Sequence, residues 1–338
     1  MRVLVTGGAG YIGSHAVRRL RQAGHEPVIY DNLSTGHKLL AEGFECIVGD
    51  VADRGALRRA LRGIDAVMHL AADSSVRESV GNPRKYFENN VGSGLSLLHA
   101  MLDAGIRRVI LSSTCAVYGR PSAIPIPVDA PRIPANPYGA TKLALEHALE
   151  AYSAAYGLRY VSLRYFNAAG ADESGETGEM HQPETHLIPL ALEAAAGLRS
   201  SVAIYGTDYP TPDGTCIRDY IHVNDLAEAH LRALEYLREG GPSAAFNLGS
   251  GAGHSVLEVL GMVEAVTGRR LKTQRQPRRP GEPPVLVSDS TAARQQLHWI
   301  PARSLRQSVA TAWKWMQSDR YAQLQRAAAL SGETSLRP

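Results

Sequence analysis

The segment TGGAGYIG at 6–13 restricts the possible folds of this chain more than any other stretch. A nearly continuous apolar run, Arg2–Thr6, precedes it, and helical spacing over Tyr11–Ala23 follows it. A short run of that kind suits a strand buried on both faces. Ile12, His15, Ala16, Arg19 and Leu20 fall on neighbouring faces of the predicted helix, and Gly24 is placed to end it. The connection carries GxGxxG at Gly8, Gly10 and Gly13, and GxxGxxG at Gly7, Gly10 and Gly13. Glycine there allows a tight turn, close approach of a pyrophosphate to backbone, and close helix–strand packing. The helix N-terminus then offers N–H groups and a positive dipole end to an anion. Glycines also mark plain βα turns, but the strand before and helix after favour a phosphate loop.

The same alternation continues. Apolar runs at Pro27–Tyr30, Glu45–Val48, Ala66–His69, Val109–Leu111 and Tyr160–Leu163 are separated by helical spacing near Arg54–Arg62, Arg84–Ala104 and Tyr138–Tyr156. This predicts an α/β chain with a Rossmann-type doubly wound parallel sheet and helices on both faces. Beyond Tyr165 the regularity breaks into loops at Gly170–His186, Gly206–Thr215 and Gln276–Pro284. Helical spacing returns within Tyr220–Leu237, Leu257–Thr267 and Thr291–Leu297, so a smaller, loop-rich C-terminal α/β domain is expected. A length of 338 residues fits two domains. The stretch from Ser318 has few apolar residues and is expected to be loosely attached.

Two further features carry chemistry. Asp31 follows the second predicted strand, 18 residues beyond Gly13. A carboxylate there accepts hydrogen bonds from a ribose and repels a 2′-phosphate, which favours NAD over NADP; an Asp-Asn turn is the plainer reading. Gly49-Asp50-Val51 follows the third strand in the same way. Tyr138 and Lys142 form YxxxK, one turn apart on one helix face. A free phenol, with pKa ~10, is a poor base at neutral pH. A neighbouring ammonium favours the phenolate and makes the pair a proton shuttle. Thr114 closes the strand Val109–Leu111 at the end where such sheets bind ligands.

Taken together, TGGAGYIG at 6–13, HLAA at 69–72, NNV at 89–91, SSTCAVYG at 112–119, PYGATK at 137–142 and RYFNAAG at 164–170 resemble the extended short-chain dehydrogenase/reductase family. Within it, VRESV at 76–80, DYPTPDGTCIRDYIHVNDLAEAH at 208–230 and FNLGSG at 246–251 are similar to the UDP-glucose (UDP-galactose) 4-epimerases. The likeness runs over roughly residues 1–315. It implies an isomerase that interconverts the two UDP-hexoses through a transient 4-keto sugar, with NAD recycled rather than consumed. It also implies a division into an NAD-binding domain (1–168 plus about 219–247), a nucleotide-sugar domain (about 169–218 plus 248–330) and a tail at 331–338.

The resemblance implies Tyr138, Lys142 and Thr114 as catalytic residues. It implies cofactor contacts at Gly7, Gly10, Tyr11, Ile12, Gly13, Asp31, Asn32, Asp50, Val51, Leu70, Ala71, Ala72, Asn89, Tyr138, Lys142 and Phe166. Substrate contacts are implied at Thr114, Tyr138, Asn167, His186, Leu187, Ala203, Ile204, Tyr205, Tyr220, Glu282 and Leu286, with Arg218 and Arg279 on the diphosphate. Bidentate guanidinium groups suit phosphate oxygens. The chain departs from other members at Ser74, where some carry Lys, and at Thr35 and His186, where others carry Asn. The resemblance implies that Leu286 stands beside the sugar, intermediate in size between the bulky residues that restrict the site to plain hexoses and the small ones that admit N-acetyl groups.

Sister sugar dehydratases and decarboxylases place an acidic residue just after the hydroxyl residue; Cys115-Ala116 stands there instead. Epimerases of UDP-GlcNAc/GalNAc or of UDP-pentoses and uronates share the constellation. A non-enzymatic NAD-binding sensor needs neither Tyr138 nor Lys142. The basic run Arg269–Arg279 lacks aromatic interleaving, and the net charge is only +3, so nucleic acid is not an expected partner. Three separated cysteines form no disulfide framework, and no HExxH or other metal spacing is found, so no metal ligand is assigned. The start MRVLVTGG lacks signal-peptide regions, and no apolar run reaches ~18 residues, so a cytoplasmic location off the membrane is expected; the resemblance implies a homodimer. Its interface is expected on the helices near Arg84–Ala104 and Tyr138–Tyr156.

Overall fold

In the computed structural model, which describes every residue except Pro280 and 335–338, strands and helices alternate from the start. The first part of the chain lays down β1 (Arg2–Thr6), α1 (Tyr11–Gln22), β2 (Glu26–Asp31), β3 (Glu45–Val48), α2 (Arg54–Ala60) and β4 (Ala66–His69). There follow α3 (Val76–Gly81), α4 (Pro83–Tyr86), α5 (Ser93–Asp103), β5 (Arg108–Thr114), α6 (Pro137–Tyr156) and β6 (Arg159–Tyr165). Beyond them come β7 (Asn167–Ala169), α7 (Leu187–Ala196), β8 (Val202–Tyr205), β9 (Ile217–His222), α8 (Val223–Arg238) and β10 (Ala244–Leu248). The last part holds β11 (Gly253–Ser255), α9 (Val256–Thr267), β12 (Thr273–Gln276), β13 (Val285–Leu286), α10 (Thr291–Gln296), α11 (Leu305–Met316) and α12 (Asp319–Thr334).

Seven strands make one parallel sheet in the order β3-β2-β1-β4-β5-β6-β10. The strand order reverses between β1 and β4, the switch point outside which doubly wound sheets bind ligands. Val3, Val5 and Phe246 pack into one apolar cluster and Leu4, Val67 and Val109 into another, so β1 buries successive residues in different clusters. That two-sided burial is why these strands read as continuous apolar runs rather than alternating ones. A smaller sheet joins β9 to β7, β11 and β13, and β8 pairs with β12. Helices α7, α9 and α11 bury Ile188, Val259 and Val309 in a separate core. The boundary expected near 219 falls inside β9, whose partners all lie in the small sheet; the chain rejoins the large one through α8, packed on α1, and β10.

Two expectations need correction. The helix expected over Arg84–Ala104 is interrupted by a π turn at Phe87–Gly92. The buried Asn90 side chain explains the interruption: its amide donates to Asp73 O (3.0 Å) and Thr141 Oγ1 (3.1 Å), and its Oδ1 accepts from Asp73 N–H (2.9 Å). The segment 318–328 is not loosely attached, and the last four residues of the tail expected at 331–338 lie outside the described residues. Tyr321 and Leu324, three residues apart on α12, are buried against Leu40, Met180 and Trp315. Few apolar residues suffice when their spacing puts them on one stripe.

Candidate active site

The glycine loop sits at the switch point, between β1 and the residues that follow β4. Gly7 has φ +73°, and a Cβ there would lie 2.7 Å from Ala71 N. A Cβ on Gly13 would lie 2.1 Å from Gly7 O. Neither position admits a side chain, so the backbone of Gly7 packs directly on the Leu70–Ala72 segment. Gly10 N–H donates to Gly7 O (3.1 Å), which closes the turn, and no side chain caps α1 behind it. Asp31 is buried and holds the loop itself: Oδ2 accepts from Ala9 N–H (3.0 Å) and Oδ1 from Leu33 N–H (2.8 Å). Burial raises its pKa against those hydrogen bonds. At the ends of β2 and β3, Asn32 donates to Asp50 Oδ2 (3.0 Å), with Val51 buried beside them. Tyr11 Oη donates to Gly170 O (2.6 Å) across to the end of β7, while Ile12 packs on the core. Asn89 lies in the π turn, and Phe166 is buried just after β6.

Helix α6 brings the candidate catalytic pair to the end of β5. Asn136 caps it by accepting from Gly139 N–H (2.8 Å), with Pro137 in the first turn. A Cβ on Gly139 would lie 2.5 Å from Ala116 O, so glycine lets α6 press onto the turn Cys115–Tyr118. Thr114 Oγ1 accepts from Ala116 N–H (3.1 Å), the plain strand-end bond. The same hydroxyl lies near Tyr138 and favours its phenolate, yet burial wins and raises the phenol above its ordinary value. Lys142 is buried, donates to Ser112 O (2.9 Å), and is pushed down to about 8 by burial. The expectation that Lys142 depresses the tyrosine is thus corrected. Desolvation is the dominant influence on both groups, and it favours a neutral phenol and a neutral amine.

One turn further along α6, Glu146 fixes the helix. It accepts from Ser113 Oγ (2.5 Å), from Arg164 Nη2 (2.6 Å) and from Arg132 Nη1 (3.2 Å), with Glu146 and Arg164 both buried. Arg164 also donates to Tyr118 Oη (2.8 Å). This network ties α6 to β5, β6 and the turn after Thr114.

The residues implied for substrate gather on the small sheet. Asn167 donates to Asp219 O (3.1 Å) and stands opposite Tyr220 in register. Leu286 stands opposite Arg218 and packs on the cluster of Val117, Leu143 and Phe166, which joins this side to the α6 side. Arg218 pairs with Glu282 (2.9 Å), and Arg279 lies 4.0 Å over the Tyr205 ring. Ala203, Ile204 and Tyr205 belong to β8. Leu187 opens α7, with His186 at its N-cap.

A glycine cradle at the switch point, with Tyr138, Lys142 and Thr114 converging beside it, fits a dinucleotide next to a reacting hydroxyl. The sequence model of the NAD dependent epimerase/dehydratase family matches residues 3–249. The chain belongs to that family. It is 47% identical over 322 residues to a UDP-glucose 4-epimerase of Lacticaseibacillus casei, covering 94% of this chain and 97% of the relative. The crystal structure of the UDP-glucose 4-epimerase from Brucella ovis in complex with NAD is 49% identical with TM-score 0.90, covering 92% of this chain and 97% of that one. That of the Stenotrophomonas maltophila enzyme, with bound NAD and formylated UDP-arabinopyranose, is 40% identical with TM-score 0.91, covering 96% and 99%.

Within this epimerase/dehydratase, several residues at the site escaped the sequence reading. Asn90 was visible only as a neighbour of Asn89. Glu146 lies at i+4 from Lys142, a spacing that marks it as sharing that face. Buried Asp219 accepts from Ser250 N–H (2.8 Å), Gly251 N–H (3.1 Å) and Ser288 N–H (3.1 Å), and so holds the loops around β9. The side chains of Glu179, His181, Glu184 and His186 meet, although they follow no HExxH-type pattern. Their ExHxxExH order was the available signal. Among the described residues no helix is long and apolar enough to cross a membrane.

Proposed function

We propose that this chain interconverts UDP-glucose and UDP-galactose as an NAD-dependent 4-epimerase, an isomerase. The observation that carries the reading is the meeting of Tyr138, Lys142 and Thr114 at the end of β5, beside a glycine cradle that excludes side chains at Gly7 and Gly13. NAD would be held by that cradle, the open end of α1, and the Asn32–Asp50 and Leu70–Ala72 segments, and when bound it supplies a hydride acceptor and donor at the sugar C4. Tyr138 would act from its phenolate form, taking the proton of the 4-hydroxyl to become the phenol and returning that proton after the keto sugar has turned, so its raised pKa must fall once the cofactor's positive charge is bound. Thr114 binds the same oxygen. Lys142, whose proton burial loosens, would hold the cofactor ribose. Arg218 and Arg279 grip the diphosphate from β9 and the 276–284 loop, with Glu282 oriented by Arg218. Cys115 in place of an acid after Thr114 leaves no group for C5 deprotonation, which supports epimerisation over dehydration. The regular N-terminal half with α8 and β10 serves as the NAD domain, and the small-sheet half as the nucleotide-sugar domain. Exposed Val76, Val80 and Phe87, near α6, support a homodimer through that face.

The test is to incubate the purified protein with UDP-galactose, UDP-GalNAc and UDP-galacturonate, with and without added NAD⁺, and resolve the products chromatographically. Conversion of UDP-galactose to UDP-glucose is expected. Turnover of only one of the other two sugars would move the assignment to that sugar, and turnover of none would remove the epimerase reading.

A further inference from the structure

We propose that Glu179, His181, Glu184 and His186 form a zinc site, apart from the Tyr138–Lys142–Thr114 centre and at the edge of the implied substrate contacts His186 and Leu187. The four side chains each bring one ligand-type atom to a common point, all within 4.8 Å of one another. His186 Nδ1 lies 2.8 Å from Glu179 Oε1 and 2.9 Å from Glu184 Oε1. His181 Nδ1 lies 2.9 Å from the same Glu179 oxygen. An imidazole Nδ1 carries at most one proton, so it cannot donate well to two carboxylates together. A dication at the centre satisfies all four atoms and neutralises the two carboxylates.

Burial points the same way. The Glu179 and Glu184 side chains are only 8% and 7% exposed, while those of His181 and His186 are 32% and 52% exposed. The acids form the floor and the imidazoles form the rim, which leaves an entry path from solvent. A cavity of about 30 Å³ adjoins the group, bordered by Glu179, His181 and Glu184 as well as Met180 and Trp315. Two buried carboxylates are costly unless paired.

The donor set selects the metal. Zinc binds imidazole nitrogen and carboxylate oxygen at ~2.0–2.2 Å, which places tetrahedral donors roughly 3.3–3.6 Å apart. The spacings of 2.8 to 4.8 Å bracket that value, so small rotations close the site. Two imidazoles argue against magnesium or calcium, which prefer all-oxygen shells. Four protein ligands leave no open position, so the site is structural. It would pin residues 179–184 to the start of α7, where His186 is the N-cap.

The experiment uses tag-free protein with its bound cofactor, stripped with a chelator and titrated with Zn²⁺ and separately with Mg²⁺. Metal content by mass spectrometry and affinity by competition with a chromogenic chelator are read for wild type, His181→Ala and Glu179→Gln. The expected result is one zinc per wild-type chain, at least 100-fold weaker binding in both variants, and no competition from Mg²⁺. Far-UV circular dichroism checks that the variants fold. Should Glu179→Gln fail to fold, the partly exposed His181→Ala carries the comparison. Substoichiometric zinc in wild type, or equal affinity in wild type and a folded variant, overturns the site and leaves a hydrogen-bonded ion cluster.

Discussion

Tyr138 and Lys142 illustrate how burial competes with proximity at the scale of single residues. The spacing puts an ammonium one turn from a phenol, but both groups lie where the charged form is desolvated. Tyr138→Phe keeps the packing and removes the proton carrier; UDP-galactose conversion should fall by about 10²–10⁴-fold, the usual worth of general acid–base catalysis. Unchanged turnover in that variant would remove Tyr138 from the mechanism. Lys142 has a stability signature of its own. Its native pKa is depressed to about 8 from 10.5, so between those values the unfolded chain holds a proton that the native chain has released. Stability contributed by this group therefore rises with pH across that window. Urea unfolding from pH 7 to 10.5 should show this rise in wild type and lose it in Lys142→Met.

Helix α6 is the element that sets the site's geometry, and two of its residues hold it. Glu146 and Arg164 form a buried pair, and removal of one partner leaves the other charge unpaired in the core. Glu146→Ala should destabilise the chain by ~3–5 kcal/mol, read from denaturant midpoints. Gly139→Ala tests position rather than cohesion. Its new methyl would meet Ala116 O at 2.5 Å and push α6 away from the turn behind Thr114. Crowding of this kind costs ~1–3 kcal/mol. Here kcat should fall further than KM changes, because Tyr138 and Thr114 separate while the diphosphate residues stay in place. A kcat equal to that of wild type would show that the close approach is not needed.

Over the whole molecule, acid sensitivity follows from buried histidines. Burial lowers His15 and His230 to about 4, and His69 and His222 to about 3, from 6.5. The unfolded chain binds these protons below 6.5 and the native chain does not, so stability present above 6.5 is lost as pH falls toward those native values. Each group contributes a slope of about 1.4 kcal/mol per pH unit. Urea midpoints at pH 7, 6 and 5 should fall steeply, and His230→Gln should reduce the slope by about one such increment. What the amino-acid order determined alone was whatever depends on near neighbours. Gly13 must be glycine because of space within one βα turn, whereas Gly7 answers to the distant Leu70–Ala71 backbone; the parallel sheet follows from runs of period and length, and Tyr138 and Lys142 share a face because of helix pitch. The tertiary structure decided what depends on elements far apart. It set the meeting of Thr114 with Tyr138, the Glu146–Arg164 anchor, the docking of α12 and the Glu179–His186 cluster. It also set the direction of the Tyr138 shift, because desolvation sums over every atom around a group and most of those atoms are distant in sequence.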